Sequence, residues 1–91
     1  MLKYKAVYCK MMDDLKDAGM WIEWANELKE SDPEVAKFLI VSANDRLEKS
    51  FPETKKMLWD MMKDDKTMLK GLTDEHVTEW ANEMKEKIKK F

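Results

Sequence analysis

The chain has 91 residues, enough for one domain and too few for two. Its charged fraction of 40% is high, but 44% hydrophobic residues, with four Trp and nine Met, is too much apolar material for a disordered chain. The net charge of −2 is built from interspersed signs, so no overall field recruits nucleic acid or an anionic membrane, and such binding would need a local patch.

In chain order, Tyr4, Tyr8, Met11, Leu15, Ala18, Ile22 and Ala25 repeat at alternating steps of four and three, which predicts one long helix over about 3–30. Gly19 lies inside it at a cost of about 1 kcal/mol relative to Ala, so a bend is expected there sooner than a break. Cys9 is alone, which forbids an internal disulfide and fits a reducing compartment; the expected state is a buried or half-buried helical thiol. The N-terminal residues lack the apolar run of a secretory signal, and no stretch approaches the roughly 20 apolar residues of a membrane span. The expected location is the cytoplasm.

Ser31-Asp32-Pro33-Glu34 combines capping side chains, a proline suited to the first helical position and an early acid, and starts a second helix at about 33. Val35, Ala36, Leu39, Ile40, Ala43 and Leu47 form its predicted inward face. The connection is so short that this helix must double back on the first. Ser50-Phe51-Pro52-Glu53 reads either as the cap of a further helix or as a kink in a continuous one. The four-and-three spacing from Ala43 to Met61 persists across the proline and favours a kinked or barely interrupted arm, spanning about 33–50 and 52–65. Lys63 to Leu72 is loop-like. Thr73 as N-cap, Asp74 and Glu75 in the first turn, and a Leu72 to Val77 staple then open a last helix over about 74–90, closed by four lysines. The predicted fold is a single all-α domain over 1–91: a small helical bundle built on a long antiparallel hairpin, its second arm kinked or broken near Pro52, plus a C-terminal helix.

The octet from Glu23 to Glu30 returns as Glu79 to Glu86 with Leu28 exchanged for Met84. Each copy places a Trp and an Ala on the apolar side and its glutamates opposite. The match is expected to reflect two helices filling similar packing roles.

Catalysis finds few parts here. His76 is the single histidine, no cysteine stands at a defined spacing from it, and two glycines make no phosphate loop. The expectation is no enzyme, no cofactor and no metal. A carboxylate metal bundle is the third-ranked reading; it needs inward Glu residues and a Glu-x-x-His pair, whereas Thr73 precedes His76 at that spacing and Glu23, Glu27, Glu79 and Glu83 lie away from the apolar arc. Asp13, Asp14 and Asp17 read as a solvated acidic face. The second reading, a nucleic-acid-associated regulator using Lys85 to Lys90, is weakened by Glu83 and Glu86 and by an acidic pI of about 5.5.

Association remains. Trp and Met dominate interface hot spots and adaptable surfaces, and the candidate interaction residues are Trp21, Trp24, Trp59, Trp80, Met12, Met57 and Met62. The leading expectation is a non-enzymatic protein-interaction module with an unknown protein partner, forming a homodimer without membrane contact. In size, mild acidity and lack of chemistry it resembles, in type only, small accessory or inhibitor proteins of phages and mobile elements.

Overall fold

The computed structural model describes residues 3–63 and 73–91. Over these residues the chain is all-α, as its apolar spacing predicts: α1 spans Lys3–Leu28, α2 Pro33–Asp45, α3 Phe51–Met61 and α4 Asp74–Lys90, with one π-helical turn, Arg46–Ser50, joining α2 to α3. None of these helices is long and apolar enough to cross a membrane.

The seam of α1 is buried from Met11 through Leu15, Ala18, Ile22 and Ala25 and runs unbroken past Gly19. After α1 the chain reverses within four residues. The Asp32 carboxylate accepts the Val35 N–H at 3.3 Å, Pro33 takes the first turn and Glu34 complements the helix dipole. The returning arm packs on α1 through Ala36, Ala43, Leu47, Phe51 and Leu58, all buried.

Of the two readings of Pro52, the continuous arm is observed. In a regular helix the proline ring would meet the Glu48 carbonyl and leave it without a donor. The π-turn widens the spiral at that point, so that the Phe51 N–H donates to the Arg46 carbonyl five residues back. Thr54 Oγ1 donates to the Ser50 carbonyl at 2.8 Å. Ser50 is therefore no cap, and its hydroxyl is used elsewhere.

Thr73 caps α4, its hydroxyl accepting the His76 N–H at 3.1 Å. Lys55 on α3 ties down the same end, donating at 2.9 Å to both Asp74 and Thr78. The Lys55 ammonium holds the Asp74 carboxyl below the usual carboxylate range against a smaller opposing effect of burial. The predicted Leu72 staple, residues 64–65 of the third predicted helix and most of the loop-like stretch lie outside the described residues. Met84 reaches Gly19, and the Lys29 ammonium lies 5.6 Å over the Phe91 ring, so later residues of α4 meet later residues of α1. The two helices are parallel. The chain runs up, down and up, in a body of 49 × 24 × 18 Å.

Two expectations are corrected. Val35 is exposed, because Ala36 and Ala43 centre the buried stripe of α2 and leave Val35 at its margin. Cys9 is exposed, because it lies on the side of α1 opposite Ala18. The two octets fill similar packing roles, with Ala25 and Ala81 buried and the glutamates exposed, but the Trp expected on the apolar side of each, Trp24 and Trp80, is exposed, because it lies at the edge of the buried arc.

A Cβ added at Gly19 would sit 3.7 Å from Met84 Cε, an ordinary contact. Gly19→Ala is therefore expected to stabilise the fold by about 0.5–1 kcal/mol through helix propensity. Urea denaturation checks this, and a loss of stability would contradict a straight α1 with Met84 resting on Gly19.

Candidate functional site

The feature that the residue pattern concealed is Asp14. Sequence proximity groups it with Asp13 and Asp17 on a solvated face, yet its side chain is 0% exposed. Its position on α1 falls between Met11, Ala18 and Trp21, inside the arc that faces α2. Three donors answer it. Lys10 Nζ and Arg46 Nη1 donate to Oδ1 at 2.6 and 2.8 Å, and Ser50 Oγ donates to Oδ2 at 2.7 Å. Lys10 also donates to Ser50 Oγ at 2.7 Å, closing the ring of contacts. Arg46, the chain's single arginine, further approaches Asp17 at 3.6 Å and lies 5.2 Å over the Trp21 ring. Both Arg46 and Ser50 belong to the π-turn that Pro52 provokes. The cluster is thus a clasp between α1 and the bend of the second arm, with the carboxylate shut off from substrate or solvent.

The sequence signals were available. An aspartate on the apolar arc, a lysine four residues earlier and one arginine opposite in the hairpin together mark a buried ion pair. Asp13, Asp14 and Asp17 are close in sequence but differ in face: Asp13 is exposed, Asp17 half-buried and Asp14 buried.

The predicted interaction residues do not form one surface. Trp21, Trp59, Met12 and Met62 are half-buried and pack against the core. Trp24, Met57 and Trp80 are exposed. Trp24 extends beyond Trp21 on the α2 side of α1. Met57 borders a shallow recess of α3 with Met61 and three charged residues. Trp80 lines a groove of about 730 Å³ between α1 and α4, with Met20 on the opposite wall and Met84 at the floor.

Sequence reasoning missed Phe38 and Val41. They project from the outer side of α2, beside the exposed Val35, at three-residue spacing. Because α2 is apolar nearly all round, its periodicity alone did not say which residues the single neighbouring face of α1 would cover.

The Lys-rich end carries mixed charge: Lys85 and Lys89 share a recess with Glu48 and Glu86, and Lys89 pairs with Glu86 at 3.3 Å. Among the described residues no three His, Cys, Asp or Glu side chains converge in a way that could hold a metal ion. Comparison with known protein families, with curated proteins and with solved structures finds no match to this chain.

Burial on its own pushes the Asp14 carboxyl up, but the hydrogen bonds from Lys10, Ser50 and Arg46 together outweigh it and hold the group below the usual aspartate range. Asp14→Asn leaves two cations facing a neutral amide and is expected to cost about 2–4 kcal/mol, measured by urea denaturation. In the folded state Asp14 binds a proton less readily than in the unfolded chain. Its contribution is therefore complete above about pH 5 and is lost as pH falls below the ordinary value near 4 toward the folded one. Melts between about pH 6 and about pH 2 should show a shallower acid decline for Asp14→Asn than for the wild type; equal slopes would contradict this role.

Proposed function

We propose that this chain is a non-enzymatic protein-interaction module, of the small accessory or inhibitor type, which acts by presenting an apolar helical face to another protein. The observation that carries the reading is the outer side of α2, where Phe38 is 69% exposed, Val41 52% and Val35 42%. These side chains stand on a helix clasped to α1 at its far end, so docking orders little that is not already ordered. Glu34, Lys37 and Asp45 surround them, an apolar centre inside a charged rim. Single exposed apolar residues are ordinary on any surface; three neighbours on one rigid face are the pattern of an interaction site.

The module works in the cytoplasm as a homodimer. The exposed free thiol of Cys9 supports that compartment, since an oxidising one would join chains through it. The surplus of exposed Trp and Met in so small a body supports association.

The test uses a photo-crosslinking amino acid at position 38, or at the exposed Lys56 as control, in the cells that make the protein. A discrete heteromeric adduct through position 38, absent from the Lys56 control and lost on adding a Val41→Asp substitution, is the expected result. Absence of any adduct specific to position 38 would overturn the reading.

A further inference from the structure

We infer that the groove between α1 and α4 is the self-association surface of this protein, closed by the same groove of a second copy turned antiparallel about a two-fold axis. This rests on reading the chain as an interaction module, and it uses a different face from that of Phe38.

The walls of the groove are two rows at heptad spacing. Lys16, Met20, Glu23 and Glu27 line the α1 side; Trp80, Glu83 and Lys87 line the α4 side. Each row holds its own complement in reverse. On α4 the acid precedes the base, so an antiparallel copy sets Glu83 of each copy opposite Lys87 of the other. On α1 the base comes first, and Lys16 of each copy falls opposite Glu27 of the other. The two rows turn about neighbouring levels, position 85 on α4 and the step between positions 21 and 22 on α1. The contact of Met84 with Gly19 and that of Phe91 with Lys29 bring those levels side by side. One axis therefore satisfies both sets of pairs.

The charge balance selects this occupant. The lining carries three glutamates and two lysines, with both signs on each wall, a pattern that attracts its own inverse in preference to a uniformly basic or acidic helix. Among the described residues none of these five side chains has an ion-pair partner within its own copy. Antiparallel placement also opposes the helix dipoles, sets Met20 of each copy against the methylenes of Glu23 of the other, leaving that one carboxylate of the five charged groups without a cation, and sets the exposed Trp80 indole beside Lys90 of the second copy. The interface is only two helices wide and its charges lie at the rim, so the dimer is weak and loosened by salt.

Sedimentation equilibrium across micromolar concentrations tests this, with circular dichroism confirming helicity of every variant. The wild type is expected to dimerise, and less tightly in high salt. Glu83→Lys alone and Lys87→Glu alone should each weaken dimerisation about tenfold, because the two-fold repeats every altered pair. The double exchange Glu83→Lys with Lys87→Glu should restore it, and Met20→Glu should abolish it. A double exchange no tighter than the singles, or unchanged dimerisation of Met20→Glu, would overturn the proposal. A monomeric wild type that still crosslinks through position 38 would overturn this interface and the homodimer while leaving the reading of Phe38 as a contact with another protein standing; one that does neither would overturn that reading as well.

Discussion

A carboxylate closed off from water has to be answered by donors in fixed positions, and Asp14 draws its donors from two separate helical segments. Lys10 comes from its own helix, while Arg46 and Ser50 come from the returning arm. An apolar seam alone tolerates small slides of one helix along another, since Leu and Met fill similar holes in more than one register. A buried ion with three short hydrogen bonds does not, because displacing any donor leaves charge unpaired in a poorly solvated site. The clasp therefore fixes how the arm from Pro33 to Met61 lies against α1, and with it which side of α2 is left outside.

Pro52 belongs to the same device. By denying the helix a donor it favours the wide turn at Arg46–Ser50, and that turn supplies two of the three groups that Asp14 requires. What looks locally like a defect in the helix is globally a contribution to the register of the hairpin. Lys55 plays a lesser version of this part at the start of α4, where Asp74 and Thr78 converge on it. With the arm held at its bend and α4 tied at its start, the exposed apolar side of α2 and the mixed apolar and charged groove between α1 and α4 are set by construction rather than by their own packing.

The helices, the hairpin and the Thr73 cap were legible because each depends on local spacing: Met11 to Ala25 at steps of four and three, Asp32 before Pro33, Thr73 before two acids. The burial of Asp14 was legible only in part: its place on the apolar arc and Lys10 four residues earlier are local signals, but Arg46 lies 32 residues away. The same limit applies to α2, where Val35 and Ile40 are equally apolar and only the position of α1 decides which one is covered. Tryptophan and methionine counts pointed to surplus apolar surface, yet residue type could not separate Trp80, which lines a groove, from Trp59, which packs on the core. Among the described residues the most exposed large apolar side chain is Phe38, a residue that no count of unusual types singles out.

The claim on which the other statements stand is that Asp14 is ionised and clasped inside the fold. Nuclear magnetic resonance of its side-chain carboxyl carbon, followed through an acid titration of the folded protein, measures this directly. The account predicts a midpoint below the ordinary aspartate value, with the signals of Arg46 and Ser50 shifting in step. A midpoint at or above that value in a chain that remains folded, with Arg46 and Ser50 unmoved, would contradict it.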